Sequence, residues 1–479
     1  MLPAPCPEVV RLAKVLLLNP PHPEGKGFTR EGRCTQEAGV WATQWPPVTL
    51  ATAAAFLERD GHRLKVIDCP ATGFSNVALD GLVKRFQPDF AFWGTATPTL
   101  NADLDLGRSI KAAAPHVITG VFGTHVTALP ESALSRPWID MVIRREPEQT
   151  IREICLDRNR RWGEISGLSF RNGNTHGIRH TPDMAFLEPN AIPAPAWRHL
   201  DLSPYRLPLR GTPFLIVAPI RGCPYACSFC TAPLYYGRRL RKRPVAKVID
   251  EIADNMSRFN VRDVFIWADT FTADRAYVKA FSCEILNRGL RISWTCNSRV
   301  DTVDREMLWL MKTAGLWMIS FGLESGNPHV LQQAGKGISV DQSRRAVVMA
   351  HELGIRTSGH FVLGLPGETE RAMRQTLCLA LDLPLDIAQF YAAAPFPGTR
   401  LYDLASKEGW IRKDGLFAQD HAGMDLPGLP GHRVEEFRRY AYKRFYGRPG
   451  ALLRLLTLTK PSAVHHMIRN MPRFLGWVR

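Results

Sequence analysis

Short apolar runs alternate with amphipathic stretches along most of the chain, which is the rhythm of a parallel β/α protein. In the N-terminal third, Ala13–Pro21 reads as a buried strand ending in the rigid turn Asn19-Pro20-Pro21, and a helix follows from Trp45-Pro46-Pro47 to about Arg59. Further strands are expected at Leu64–Asp68, Phe90–Thr95, Val117–Gly123 and Met141–Arg144, with helices at Asn101–Ala114 and Pro147–Leu156. The pattern is doubly wound and Rossmann-like. No G-x-G-x-x-G follows the first strand, which argues against a nicotinamide or flavin dinucleotide.

From Pro213 the alternation resumes. Strands are expected at Phe214–Ala218, Val264–Trp267, Ile292–Cys296, Trp317–Gly322, Thr357–Leu363 and Ile387–Ala393. The helices between them fall at Val245–Phe259, Ala276–Arg288, Asp304–Ala314, Val340–Leu353 and Glu370–Leu381. In the first of these Val248, Ile249, Ile252 and Met256 share a face. Six strands suit an open, partial (βα)6 barrel better than a closed eight-stranded one, and ligands of such folds sit at the carboxyl ends of the strands. Between the two halves, Ile165–Leu200 reads as a small hairpin and a Pro-rich linker. The fold class is therefore α/β, divided as 1–163, 164–212, 213–415 and a basic helical extension at 416–479.

Composition narrows the function. Hydrophobic content of 45% is ample for several cores in 479 residues. No apolar run reaches the ~20 residues of a membrane span, and the N-terminus has no signal-like apolar core, so a cytoplasmic protein is expected. Net charge is 61 − 45 = +16, but the excess gathers in Arg238–Arg243 and the tail without aromatic RNA-binding motifs, so nucleic acid is not the expected partner. From Arg433 to Arg479 there are eleven Lys or Arg against two acidic residues, beside Leu452, Leu453, Leu455, Leu456 and Leu458. Two readings stay open for this tail: a helix packed on the barrel, or peripheral contact with an anionic membrane.

The chemistry is carried by Cys223, Cys227 and Cys230 in Arg221-Gly-Cys-Pro-Tyr-Ala-Cys-Ser-Phe-Cys230, directly after the first strand of the second half. Thiolates are the ligands of iron–sulfur clusters, and three of them leave one iron of a cubane open for a substrate. Zinc would need a second pair of ligands, and a two-cluster ferredoxin would repeat the run; neither is present. The seven other cysteines are scattered. The C-x3-C-x2-C run resembles the signature of the radical S-adenosylmethionine (SAM) superfamily, in which SAM chelates the open iron and reduction cleaves it to a 5′-deoxyadenosyl radical. The resemblance extends over Pro213–Trp410. It implies SAM contacts at Asp269, Asn297, Arg299, Glu324 and Ser325, and at Gly364 and Gly367 in a segment resembling G-x-I-x-G.

The order Asn-Pro-Pro, Trp-Pro-Pro, Val-Ile-Asp-Cys-Pro, Gly-Val-Phe-Gly-Thr-His and Arg-Arg-Glu-Pro-Glu in the N-terminal third resembles the cobalamin-binding radical SAM enzymes, which include C-methylases, an anaerobic cyclase of bacteriochlorophyll synthesis and hopanoid-synthesis relatives. It implies cobalamin contacts at Trp45, Thr97, Gly123, Thr124, His125 and Glu146. The D-x-H-x-x-G motif that supplies a lower histidine ligand is absent, leaving His125 as the one local candidate. The expected activity is hydrogen abstraction from an unactivated carbon followed by methylation of an apolar substrate, such as an isoprenoid lipid or tetrapyrrole. Flavodoxin or ferredoxin is the expected electron donor. Cyclisation or rearrangement without methyl transfer is the alternative, and an iron–sulfur protein that never cleaves SAM is the alternative of another class. No residue is assigned to catalysis beyond the cofactors.

Overall fold

The structure is a computed structural model that describes residues 12–21, 28–31, 34–37, 44–157, 160–172, 177–207, 209–413, 415 and 417–464. The N-terminal sheet has seven strands in the order Arg63–Asp68, Lys14–Asn19, Phe90–Gly94, Ile118–Phe122, Met141–Ile143, Leu168–Arg171, Ile178–His180. The first five are parallel and the last two antiparallel. Helices cover both faces, which is why the central strands are apolar on both sides. Val15 and Leu17 meet Leu50 and Ala54 on one face, while Leu16 and Leu18 meet Leu79 and Leu104 on the other. The hairpin expected between the halves thus extends this sheet through Met141–Ile143. A second hairpin, Phe28–Glu31 with Cys34–Glu37, has no counterpart in the sequence reading.

The second sheet has six parallel strands in chain order: Phe214–Val217, Asp263–Ile266, Ser293–Ser298, Leu316–Glu324, Arg356–Leu363 and Ile387–Ala392. Its helices pack outside them, as the expected barrel requires. An open arc leaves two edge strands whose backbone groups must be covered. At the first edge, Trp45 of the N-terminal domain lies against Phe214, Phe265 and Trp267. At the last edge, helix Gly431–Tyr446 brings two tyrosine hydroxyls onto the strand backbone. Tyr442 Oη accepts from Phe390 N at 2.8 Å and donates to Phe390 O at 3.2 Å; Tyr446 Oη accepts from Ala388 N at 3.1 Å and donates to Ala388 O at 2.8 Å. Four helical residues rise ~6 Å and two strand residues ~6.6 Å, so the spacings match.

Helix Pro449–Leu458 closes the end of the barrel opposite the cysteine loop. Leu458 packs with Leu209, Met318 and Ile387, near the starts of their strands. Lys460 N donates to Leu209 O at 2.9 Å, and Ser462 Oγ donates to Arg210 O at 2.6 Å. The described part of the tail is therefore packed on the barrel; its residues from 465 onward lie outside the described ones. No described helix is long and apolar enough to cross a membrane.

Candidate active site

The cysteine loop leaves the first barrel strand through the two-residue strand Ile220–Arg221, paired antiparallel with Arg241–Lys242. Gly222 has φ +92°, and a Cβ there would sit 2.2 Å from Arg239 O, so only glycine fits this crossing. Cys223 N donates to Gly237 O at 3.1 Å. Further along, Ser228 N donates to Ala334 O at 2.8 Å and Ser228 O accepts from Leu401 N at 2.9 Å, tying the loop to two neighbouring elements. Phe229 packs against the apolar cluster of Val330, Ala334, Leu365 and Leu401 and anchors the loop between its last two cysteines.

Cys223, Cys227 and Cys230 are free thiols, Cys223 buried and the others half-buried. Thr270 Oγ1 lies 3.8 Å from Cys223 Sγ, and Arg299 Nη1 lies 4.0 Å from Cys227 Sγ. Burial pushes the Cys227 thiol up; Lys336 pulls it down, Glu324 raises it, and Arg299 also lowers it. Among the described residues no three His, Cys, Asp or Glu side chains are gathered for a single metal ion. A cubane places each thiolate on a different iron, so three free thiols on one loop beside two cations form a donor set that suits it.

The strand ends around the loop form one buried network. Glu324 has φ +61°, a conformation rare outside glycine, where its strand slips register against the next. Its carboxylate meets Lys336 Nζ at 2.7 Å, both side chains buried. Arg299 holds Asp301 with two hydrogen bonds of 2.8 Å, donates to Lys336 O at 2.7 Å, and lies over the Tyr225 ring at 3.7 Å. Arg299 thus pairs with a carboxylate of this chain. Ser325 is wholly buried, its hydroxyl 3.1 Å from Thr376 Oγ1 and accepting from Asn327 N at 3.1 Å, so it holds a turn. Asp269 is half-buried just beyond the second barrel strand, and Asn297 is on the third.

Gly364 and Gly367 both have positive φ, +84° and +79°. A Cβ would meet Val434 at 3.2 Å in the first case and His329 Nε2 at 2.9 Å in the second, so the turn itself requires both glycines. Glu368 Oε2 accepts from the N–H groups of Gly364 and Leu365, and burial pushes this carboxyl up to about 8.

In the N-terminal domain, Gly123 follows a strand end with φ +139°, and a Cβ would lie 2.4 Å from Thr95 O. Thr124 and His125 follow it, both buried. His125 Nδ1 is 3.2 Å from Thr97 Oγ1, and burial pulls the imidazole down to about 4. A cavity of about 10 Å³, no larger than one water, lies by Asn19, Thr29, Arg30 and Trp45, where Thr29 Oγ1 and Trp45 Nε1 are buried without a partner among the described residues. These unpaired polar atoms stand by the carboxyl end of the first strand, the end at which parallel β/α sheets bind ligands. Glu146 meets the barrel. Its carboxylate is taken by Arg241 and Arg221 of the barrel, with Leu187 N donating at 3.2 Å. Arg221, two residues before Cys223, also meets Glu148 at 2.7 Å. These four buried charges join the two domains directly behind the cysteine loop.

Comparison with known proteins agrees with this geometry. Residues 217–380 match the radical SAM superfamily and residues 38–155 the B12 binding domain. An uncharacterized methyltransferase of Pyrococcus horikoshii is 31% identical, over 97% of this chain and 99% of its own length. The chain belongs to the cobalamin-binding radical SAM family. It is an enzyme, and its cofactors are SAM, a four-iron cluster and cobalamin. Other members similar to it include the cytidylyl-2-hydroxyethylphosphonate methyltransferase of Streptomyces wedmorensis, 25% identical over 92% of this chain and 91% of its own. The fold is shared with the radical SAM methyltransferase TsrM from Kitasatospora setae, with a TM-score of 0.68, 18% identity and coverage of 95% and 92% of the two chains.

Sequence reasoning missed Lys336 and the Arg221–Glu148 and Arg241–Glu146 pairs. Lys336 follows a six-residue helix, Pro328–Gln333, too short to leave a periodic signal. The arginines were legible only as surplus charge.

Proposed function

We propose that the protein methylates an unactivated carbon of a small molecule bearing several hydrogen-bonding groups. The observation that carries this reading is the buried join of Glu146 and Glu148 with Arg221 and Arg241, which fixes the B12 domain to the root of the cysteine loop. When bound, the cluster with SAM supplies a carbon-centred radical and cobalamin supplies a methyl group. Cys223, Cys227 and Cys230 hold three irons; Arg299 and Lys336 offset the thiolate charge. Gly364, Gly367, Glu324, Asp269 and Asn297 border the place for SAM. The N-terminal strand ends by Trp45, Thr97, Gly123 and His125 hold the corrin side.

The barrel interior bears on the substrate. Register aligns Asn297, Ser320 and Ser358 in one layer, and Gly322, His360 and Gln389 in the next, with Tyr391 above them. Phe321, Phe361 and Phe390 of these strands face the helices instead, and the interior Met318 and Ile387 are taken up by Leu458 at the opposite end. His360 Nδ1 is 3.2 Å from Tyr391 Oη, which donates to Gln389 Oε1. A wall of this kind suits hydroxyl, amide or phosphate groups better than a lipid or tetrapyrrole, because burying its polar groups against hydrocarbon leaves them unpaired. The tail, which motivated the apolar expectation, plugs the opposite mouth.

Methyl transfer is favoured over cyclisation by identity and coverage taken together. The two methyltransferase relatives named above align over nine-tenths or more of each chain at 31% and 25% identity, whereas the anaerobic magnesium-protoporphyrin IX monomethyl ester cyclase of Rubrivivax gelatinosus aligns over 66% of its length at 27% and that of Synechocystis over 87% at 23%.

Anaerobically reconstituted protein with cobalamin and dithionite tests the reading. It is expected to hold one four-iron cluster and to convert SAM to 5′-deoxyadenosine. With substrate it should release S-adenosylhomocysteine in equal amount, because a methylation uses a second SAM as methyl donor. Deoxyadenosine without homocysteine product during substrate turnover would favour cyclisation. A full cluster in the Cys223→Ala/Cys227→Ala/Cys230→Ala variant would sink the ligand assignment.

A further inference from the structure

The run Arg238–Arg243 separates into two populations. Arg241 is buried on Glu146 and Arg243 on Glu251 at 2.6 Å, while Lys242 pairs with Asp274 at the surface. These three are structural charges. Arg238 and Arg239 are exposed, and neither has a carboxylate partner among the described residues. Both lie on the cysteine loop. Arg238 Nη1 donates to Tyr225 O at 3.5 Å, and the Arg239 carbonyl is the atom that crowds Gly222. From the other side the exposed Arg400, also without a carboxylate partner among the described residues, donates to Ala226 O.

The loop, where Pro224 and Ala226 are exposed, is therefore bordered by three arginines without carboxylate partners among the described residues, two of which, Arg238 and Arg400, reach its carbonyls. Exposed arginines such as Arg275, Arg288 and Arg433 each meet two carboxylates, whereas these three, gathered at one loop, meet none among the described residues. A one-sign patch raises the local concentration and docking rate of an oppositely charged partner. The electron for the cluster must enter from outside the chain, and Cys227 and Cys230 of this loop are half-buried, not enclosed.

We propose that the face of Arg238, Arg239 and Arg400 docks a small acidic one-electron carrier protein of the flavodoxin kind, seated over the cysteine loop. The donor is oxidised by one electron and the four-iron cluster is reduced by one; no bond forms or breaks at the interface. The inference rests on the cluster assignment proposed above.

The test compares two reductants in the full-length, reconstituted enzyme, reading 5′-deoxyadenosine formed from SAM. One arm uses NADPH, flavodoxin reductase and flavodoxin; the other uses dithionite. Arg238→Glu/Arg239→Glu is expected to lower the flavodoxin-driven rate about tenfold or more at low ionic strength while the dithionite rate stays within about twofold. Arg238→Lys/Arg239→Lys should keep most of both rates. Raising salt should slow the flavodoxin arm of the wild type and should not slow that of the Glu pair, since surface charge is screened within ~8–10 Å near physiological ionic strength. Equal flavodoxin rates in the wild type and the Glu pair, or equal losses with both reductants, would overturn the proposal. Absence of deoxyadenosine with dithionite in the wild type would instead remove the cluster reading on which it stands.

Discussion

Arg241 of the barrel grips Glu146 of the N-terminal domain with both terminal nitrogens, Nη1 on Oε2 at 2.9 Å and Nη2 on Oε1 at 2.5 Å, with both side chains about 95% buried. A fork-to-fork pair of this kind fixes orientation as well as distance. Arg241 also donates to Leu187 O and Tyr236 O, so three elements converge on one guanidinium. Arg241→Met leaves the buried Glu146 carboxylate with only Arg221 at 3.4 Å and Leu187 N, and is expected to cost about 3 kcal/mol. Thermal unfolding checks this, with Glu146→Gln as partner in a double-mutant cycle. Coupling below about 0.5 kcal/mol would show that the pair does not join the domains.

Glu368 gives a pH signature. Burial raises its folded pKa to about 8 from an ordinary value of 4.5. The folded state therefore holds its proton more tightly than the unfolded chain. The stabilisation is fully present below pH 4.5 and is lost as pH rises through 8. Glu368→Gln keeps an acceptor for Gly364 N and Leu365 N but cannot ionise. It should match the wild type near pH 5 and exceed it by up to ~4 kcal/mol at pH 8. Denaturant unfolding across that range checks the difference; parallel curves would mean that Glu368 titrates normally.

Much of this was legible in the sequence, and the misses share a cause. Helix Val245–Phe259 lies where its apolar face puts it, because periodicity records which side of an element is buried. The six barrel strands follow for the same reason. Periodicity says nothing of what a charge meets. Arg238 and Arg241 look alike in sequence, yet one is exposed on the cysteine loop and the other is buried on Glu146. The hairpin Phe28–Glu31 was invisible because Phe28-Thr-Arg-Glu31 has no apolar alternation; all four residues are buried, Arg30 by its pairing with Asp103 at 2.6 Å and Glu31 by accepting from Thr49. Glu146 and Ser325 were expected beside ligands from their motifs, and no sequence signal showed the contacts they make with Arg241, Arg221 and Thr376.

The tail predicts two outcomes. Tyr442→Phe and Tyr446→Phe each remove the hydroxyl that satisfies one N–H and one C=O of the last barrel strand, at a cost of about 1–3 kcal/mol apiece. Chemical denaturation reads this directly. Helix Pro449–Leu458 leaves Leu453 and Leu456 exposed, at 63% and 71%, while Ala451 and Leu458 are buried. A helix fixed by packing predicts no flotation with anionic liposomes at physiological salt. Flotation that disappears in Leu453→Ser/Leu456→Ser would show that these leucines insert in a membrane.

His125 decides how cobalamin is held. Its Nδ1 is engaged with Thr97 Oγ1, and burial keeps the ring neutral by pulling its pKa to about 4 from 6.5. A histidine lowered in this way contributes stability at neutral pH that is lost as pH falls from 6.5 to 4, because the unfolded chain takes the proton first. The loss amounts to at most ~3 kcal/mol and should vanish in His125→Gln. The backbone beside it has no freedom either: Gly123→Ala would force a Cβ to 2.4 Å from Thr95 O and should abolish corrin retention. Because no D-x-H-x-x-G motif is present, the cob(II)alamin EPR spectrum is expected to lack nitrogen superhyperfine splitting from the protein. Splitting that disappears in His125→Gln, with corrin still bound, would make His125 the lower ligand and would require its Nε2 to reach cobalt.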